Sequence, residues 1–469
     1  MSSLVFEQYY LQCLSHASYL VGDSGTGRAV VVDPQRDVRQ YLEDAAVRGL
    51  TIERVIETHF HADFLSGHLE LAEQTGAVIS YGAAAGPVSF PIERLIHGQR
   101  LSLGTVTLEI RATPGHTPES ISIVVSEGPD DAVPYGVLTG DTLFIGDVGR
   151  PDLLSSEGVT ADDLARDLYR STREQLLTLP DATRVYPAHG AGSACGKQLS
   201  TETVSTIGEQ RKDNYALADM SVADFVRVVT EGQSVAPLYF AFDAQRNREA
   251  RTLLDEETPP PPLTLDEVRS RQSAGAAILD TRDASEFAFG HLRGSIEVGL
   301  GGRFAEYAGD VLAPDTEIVL VSAPGTELEA KIRLARIGFD RVVGVLDDAM
   351  RAFVEHPEAV EQSSRVSALE LKTLQTIGVD LQLVDVRNPG ELEADGMVAG
   401  ASSIPLARIT SAADQLDPAR PTVVYCAGGY RSAIAASTLS TLGFVDVSDL
   451  RGGFEAWRTL GFPTTEVPS

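Results

Sequence analysis

From Phe6 to Val32 the apolar positions follow the short period of β-strands, with Ser18-Tyr19-Leu20-Val21 and Ala29-Val30-Val31-Val32 separated by the turn cluster Gly22-Asp23-Ser24-Gly25. Asp33-Pro34 closes the second run. Over Val38 to Arg48 the spacing lengthens to that of an amphipathic helix, which Gly49 stops. Ile52 to Ile56 predicts another strand, Leu69 to Gln74 opens a helix, and Val106 to Ile110 alternates as a half-buried strand. This alternation continues to about residue 190 and predicts a layered α/β domain. Thr203 to Leu217 and Val222 to Val229 predict helices that buttress it, so the domain is expected to span residues 1–250.

Glu256-Glu257-Thr258-Pro259-Pro260-Pro261-Pro262 then breaks the pattern, because a proline run stays extended and cannot enter a helix or sheet interior. It predicts a semi-rigid spacer. Beyond it the chain repeats. Ile278-Leu279-Asp280-Thr281-Arg282 with Glu286 recurs as Leu383-Val384-Asp385-Val386-Arg387 with Glu391, and Gly338-Phe339 recurs as Gly443-Phe444, all at an offset of 105 residues. Each copy carries fully apolar strands between helices, the signature of a small parallel α/β domain. The expected boundaries are 263–358 and 365–469.

A chain of 469 residues is long enough for several domains, and 43% apolar residues suffice for their cores. A formal charge of −29 argues against nucleic acid or an anionic membrane as partner. No apolar run is long enough to span a bilayer, and Met1-Ser2-Ser3-Leu4-Val5-Phe6-Glu7 lacks the basic-then-apolar order of an export signal. Three cysteines, Cys13, Cys195 and Cys426, make neither a disulfide framework nor a Cys-x-x-Cys pair. A reducing, cytoplasmic setting is expected, with any functional cysteine acting as a thiolate.

The chemistry concentrates in Thr58-His59-Phe60-His61-Ala62-Asp63-Phe64-Leu65-Ser66-Gly67-His68, directly after the strand ending at Ile56. Neutral imidazole and carboxylate together hold divalent first-row metals. Three more such groups follow strands in loops flanked by Gly or Pro: His116 in Thr113-Pro114-Gly115-His116-Thr117, Asp141 in Leu138-Thr139-Gly140-Asp141, and His189 in Tyr186-Pro187-Ala188-His189-Gly190. Loops on a rigid scaffold are where functional groups collect. His16 and His97 lack such context and read as ordinary polar residues; His68 reads as a residue that caps or packs the next helix, and Cys13 as structural.

The order HxHxD, PGHT, TGD, PAHG resembles the metallo-β-lactamase fold, a four-layer αββα sandwich with its metal between the sheets. The stretch Thr139-Gly140-Asp141-Thr142-Leu143-Phe144-Ile145-Gly146-Asp147-Val148-Gly149-Arg150-Pro151-Asp152-Leu153 resembles the persulfide dioxygenase branch, and in particular its bacterial fusions with rhodanese domains. Dinuclear hydrolases of this fold read HxHxDH; here Phe64 takes the last place, so a second metal on Asp63, His189 and a bridging Asp141 is short of a ligand. The resemblance therefore implies one Fe(II) on His59, His116 and Asp141, a two-histidine, one-carboxylate triad with vacancies for persulfide and O₂. His61, Asp63 and His189 would surround it, orienting ligands and moving protons. Arg150 aligns with an arginine that grips the carrier thiol's carboxylate in relatives; a structural ion pair is the other reading of the same residue. Ala191 stands where glutathione-using relatives carry tyrosine, which argues against glutathione and leaves coenzyme A, a bacillithiol-like thiol or another small carrier open. Cys195, in a Gly-bounded loop six residues past His189, reads either as a sulfur relay or as a small buried apolar residue.

In the second repeat, Cys426-Ala427-Gly428-Gly429-Tyr430-Arg431-Ser432 lies between the strand Pro421 to Tyr425 and a helix from Ala433. Successive amides of a Gly-containing loop at a helix N-terminus stabilise a thiolate, and Arg431 adds a charge for an anionic sulfur donor or acceptor. The copies resemble rhodanese domains, whose catalytic cysteine heads such a loop. The 105-residue offset maps Cys426 onto Val321, so the first copy's loop reads Ser322-Ala323-Pro324-Gly325-Thr326-Glu327, without thiol or arginine. That copy is expected to be inactive, serving as a spacer or docking surface between the active domains, or in dimerisation. The combined expectation is a homo-oligomeric, iron-dependent persulfide dioxygenase and sulfurtransferase that turns small thiol persulfides and O₂ into sulfite, thiosulfate or both in sulfide detoxification. Its rivals are a zinc-dependent thioester hydrolase resembling glyoxalase II and a non-enzymatic sulfane-sulfur carrier or sensor.

Overall fold

The computed structural model describes residues 3–128, 131–153 and 158–466. Met1 and Ser2 of the stretch read for an export signal, and 467–469 at the end of the second repeat, lie outside the described residues. The chain divides into two compact units: one runs through Gln233 and adds Phe240–Leu254, the other takes Ser234–Tyr239 and continues from Asp255. Among the described residues no helix is long and apolar enough to cross a membrane.

The first unit holds two six-stranded sheets. The first sheet contains β1 (Leu4–Leu11), β2 (His16–Asp23), β3 (Arg28–Val32), β4 (Thr51–Ile56), β5 (Val78–Gly82) and β6 (Glu93–Leu95) in sequence order. The second contains β7 (Arg100–Ser102), β8 (Thr107–Ala112), β9 (Ile121–Ser126), β10 (Gly136–Gly140), β11 (Arg184–Pro187) and β12 (Ser205–Thr206), again in order. The period of two sorts the side chains into layers. Ala17, Tyr19, Val21, Val30 and Val32 of one sheet meet Leu108, Ile110, Ile123, Val125 and Leu138 of the other in one core. The alternate residues Leu20, Ala29, Val31 and Val55 face α1 (Arg39–Val47) and α2 (His68–Thr75). Val124, Val137 and Val185 face α3 (Ala161–Arg170), α4 (Ile207–Asp213) and α5 (Val222–Thr230). This is the expected αββα sandwich. The extension differs from its sequence reading at both ends of the first helix: Ser205–Thr206 leaves it to pair with β11, Thr206 then caps α4 through a capping box with Glu209, and the extended Asn214 ends α4 before the predicted Leu217. The unit ends with α6 (Phe240–Arg246) and the segment to Leu254.

The second unit carries the repeat as two five-stranded parallel sheets of identical order. The first runs Pro262–Leu263, Val342–Leu346, Ile318–Val321, Ala277–Asp280, Ser295–Glu297; the second runs Ser364–Val366, Val447–Leu450, Thr422–Tyr425, Gln382–Asp385, Ser402–Ser403. The first helix of each opens with a capping box, Thr264 with Glu267 and Ser367 with Glu370. The proline run does not end at the sheet. Pro262 sits in its edge strand, where its missing N–H is not needed and the carbonyls of Pro261 and Leu263 accept from the amides of Val345 and Asp347.

Sheet register corrects the expected loop alignment. Asp280 pairs with Val321 and Asp385 with Tyr425, so the counterpart of Cys426 is Ser322, not Val321. The two loops then superpose residue by residue: Gly325 and Gly429 both take positive φ (86° and 105°), and Glu327 stands where the second copy has Arg431. The first copy still lacks a thiol, and its loop charge is reversed.

Candidate metal centre and sulfur-transfer loop

Every histidine and aspartate expected in the first site lies at the end of a strand, buried. His59, His61 and Asp63 follow β4, His116 follows β8, Asp141 follows β10 and His189 follows β11. Two glycines make the approach possible. Gly140 turns with φ of 52° against Thr58, and a Cβ on Gly149 would lie 1.9 Å from the Asp141 carbonyl oxygen.

Three imidazoles surround the Asp141 carboxylate: His59 Nε2 at 3.8 Å, His116 Nε2 at 3.4 Å and His189 Nε2 at 3.5 Å. Their other nitrogens fix the tautomers. His116 Nδ1–H donates to the Arg150 carbonyl (2.8 Å) and His189 Nδ1–H to the Ser15 carbonyl (3.2 Å). The Thr58 hydroxyl donates to Asp33 Oδ2 (2.8 Å), so its oxygen accepts from His59 Nδ1 (3.0 Å). Each ring thus turns its Nε2 toward the carboxylate, and His59 Nε2, His189 Nε2 and both Asp141 oxygens are buried without hydrogen-bond partners. Burial and the neighbouring rings of His61 and His116 hold His59 well below the ordinary imidazole pKa. Imidazole nitrogens around a carboxylate without hydrogen-bond partners fit a divalent cation. His59, His116 and Asp141 form one group whose ligand atoms lie within 4.8 Å of one another; Asp63, His189 and Cys195 form a second.

His61 is turned elsewhere. Its Nε2 meets Asp33 Oδ1 (3.0 Å) and Glu57 Oε2 (3.2 Å). Burial alone would depress its pKa, but the two carboxylates raise it well above the ordinary value. His61 is thus held by two carboxylates and turned away from Asp141. Asp33 also accepts from the Thr58 amide (2.7 Å). Phe64 packs on His61 (4.3 Å between ring centroids) and on His16 (4.0 Å).

His16 corrects its sequence reading. It is 1% exposed, bridges to His189 through the backbone, and lies 5.7 Å from the His189 ring. It packs against Phe64 beside the site, and only the fold reveals it. Asp33 and Glu57 were missed for the same reason. His97 accepts from the Ala112 amide at the surface, and His68 starts α2 packed on Phe90.

Arg150 is buried, forked onto Asp152 (2.7 and 2.7 Å) and bonded to the Ala194 carbonyl (3.1 Å). A carrier carboxylate would have to displace Asp152 to reach it. Its main chain joins two loops, accepting from His116 and donating to the Cys195 carbonyl (3.0 Å). Cys195 is 1% exposed; burial, with Asp63 and Asp141 nearby, pushes its thiol well above the ordinary range.

In the second unit Cys426 heads its loop with Sγ accepting from the Gly429 amide (3.1 Å) and Ser432 Oγ at 3.7 Å. The loop is pinned from behind by Phe454 N–H to the Cys426 carbonyl (2.7 Å) and Glu455 N–H to the Ala427 carbonyl (3.0 Å). Arg431 is forked onto Glu391 (2.7 and 2.7 Å), which orients its guanidinium and offsets its charge. The thiol-free copy is more than a spacer. The Tyr430 hydroxyl donates to the carbonyls of Gly299 and Gly301, and the Glu297 amide donates to Ser437 Oγ (3.0 Å) in the helix Tyr430–Thr441.

Comparison with known proteins agrees with this division. Residues 11–189 match the metallo-beta-lactamase superfamily, and residues 264–356 and 367–460 each match the rhodanese-like domain. The mitochondrial persulfide dioxygenase ETHE1 of Bos taurus is 32% identical over 49% of this chain and 82% of its own length; that of Homo sapiens is 32% identical over 45% and 75%. A "probable metallo-hydrolase" of Burkholderia pseudomallei is 30% identical over 51% and 90%. A crystal structure of a metallo-beta-lactamase from Staphylococcus aureus superposes with a TM-score of 0.66 at 33% identity, covering 73% of this chain and 98% of that one.

Proposed function

Because the chain belongs to the fusions of a metallo-β-lactamase-fold persulfide dioxygenase with rhodanese-like domains, we propose that it oxidises small thiol persulfides with O₂ and exchanges sulfane sulfur through Cys426. The observation that carries this is the convergence of His59, His116 and Asp141 in a chain that also presents a cysteine loop. His59, His116 and Asp141 would hold one Fe(II). Bound there, the iron supplies the electron transfer to O₂ that redox-silent zinc cannot. The net reaction is R–S–SH + O₂ + H₂O → R–SH + H₂SO₃: the terminal sulfur gives up four electrons, O₂ takes them, and the thiol leaves with a proton.

The protein's own groups prepare that change. Thr58, Arg150 and Ser15 fix the three imidazole tautomers so that no ring rotates during turnover. The 3.2 Å contact of His189 Nε2 with Asp63 Oδ2 gives a proton acceptor pair beside the substrate position. Phe64 and His16 keep bulk water from that wall. Cys195 lies beside Asp63 and His189 and would accept the persulfide's outer sulfur there, releasing the carrier thiol. At the second site, sulfite attacking a Cys426 persulfide would release thiosulfate and restore the thiolate.

Metal analysis of the purified protein together with O₂ uptake tests this reading. Iron at one per chain with uptake on adding a small-thiol persulfide is expected. Zinc with thioester cleavage would establish the hydrolase instead, and sulfur transfer without O₂ uptake would leave only a carrier.

A further inference from the structure

The family match ends at His189, yet the loop carrying His59, His61 and Asp63 is not finished there. Residues 59–67 pair with no strand, apart from an isolated bridge between Ser66 and Gln35, and side chains satisfy much of their backbone. The Phe60 amide bonds Glu119 Oε1 (2.9 Å). At the other end, Asn247, just past α6, inserts its carboxamide into the loop. Nδ2 donates to the carbonyls of His61 (2.8 Å) and Phe64 (2.8 Å), and Oδ1 accepts from the Ser66 amide (3.0 Å). Only one amide orientation serves two acceptors and a donor, so the three bonds also fix how Asn247 is turned. Asn247 is 1% exposed, and its own amide donates to the Asp243 carbonyl (2.9 Å). Close by, Arg251 reaches the Ser66 carbonyl and Glu70, which also pairs with Arg36 (3.2 Å).

We propose that Asn247 is a positioning residue for the metal centre: its carboxamide, supplied by the segment after the matched domain, sets the turn that carries His59 to Asp141 and Asp63 to His189. The two carbonyls it holds straddle Ala62 and Asp63, so their separation decides where the Asp63 carboxylate points. Without Asn247 the His61 and Phe64 carbonyls and the Ser66 amide lose a buried partner. The loop must then rearrange to satisfy them, and the ligands rearrange with it. A carboxylate at this position keeps the shape and the bond to Ser66 but sets oxygen against two carbonyl oxygens.

The inference rests on the metal reading, and metal affinity separates the two. Fe(II) binding to the full chain, measured anaerobically by chelator competition, is compared for the wild type, Asn247→Asp, Asn247→Ser and the exposed neighbour variant Gln245→Ala, with the melting temperature of each metal-free protein. The expected result is affinity about ten- to hundredfold weaker in both Asn247 variants, beyond any change in metal-free melting, and wild-type affinity in Gln245→Ala. Wild-type affinity in either folded Asn247 variant would reduce the residue to a brace and overturn the proposal. Absence of metal binding by the wild type would overturn the metal reading and this inference together.

Discussion

Asp33 and His61 show how much of this site is carried by residues that never touch its centre. Asp33 adopts φ of +50°, uncommon for a residue with a side chain, and is held there because its carboxylate takes the Thr58 amide, the Thr58 hydroxyl and His61 Nε2. That chain of bonds ends on His59 Nδ1, so Asp33 reaches the metal position through Thr58. Asp33→Asn removes a carboxylate that raises the pKa of the buried His61 and leaves only Glu57 to do so. The expected cost is about 3–5 kcal/mol of unfolding free energy, read from denaturant titration of the metal-free protein. A loss under about 1 kcal/mol would show that His61 is not held as a cation. The sequence made His59, His116, Asp141 and His189 legible because each sits in a short motif at a strand end. Asp33, Glu57, His16 and Asn247 were not legible. The first two look like ordinary strand-end residues, His16 opens a strand far from the cluster, and Asn247 lies 186 residues from the carbonyl of His61 that it holds.

At the level of elements, the repeat was readable and its register was not. Asp280/Asp385 and Gly338/Gly443 share one offset, but the strand and loop between them are displaced by one residue. Two compensating length differences bracket the Cys426 loop, and the flanking motifs cannot show them. The strand Ser295–Glu297 adds a prediction of its own. Glu297 accepts from the Gly299 amide (2.8 Å), while Oε2 has no hydrogen-bond partner. Burial, with the Asp280 and Asp449 carboxylates nearby and Arg365 opposing them, raises its pKa from 4.5 to about 8. A carboxyl group with a raised folded pKa binds a proton that the unfolded chain has already released. Its contribution is therefore favourable at low pH and is lost between about pH 4.5 and 8, at up to about 1.4 kcal/mol per unit. Glu297→Gln should remove that slope: calorimetric melting of the second unit between pH 6 and 8 should flatten relative to the wild type. An unchanged slope would show that Glu297 is ionised in the folded protein.

For the molecule as a whole, the proposed function would place on one chain a site that consumes persulfide sulfur and a site that can load it. Joining two active groups by a chain raises their effective concentration above what free proteins reach, provided the linker allows them to meet. The linker here is extended through Pro259-Pro260-Pro261-Pro262 and anchored at its far end by the edge strand of the thiol-free copy, which in turn bonds the Tyr430 of the active loop. Coupling and independence give opposite results for Cys426→Ser. The variant cannot form a persulfide at that loop, so transfer from thiosulfate to an acceptor should disappear, together with any O₂ uptake that uses thiosulfate as the sulfur source. O₂ uptake with a preformed small-thiol persulfide should remain near the wild-type rate, because none of the groups around Asp141 has changed. If uptake with preformed persulfide falls to background while metal content is intact, the dioxygenase site receives its sulfur only from Cys426, and the free persulfide is not its direct substrate.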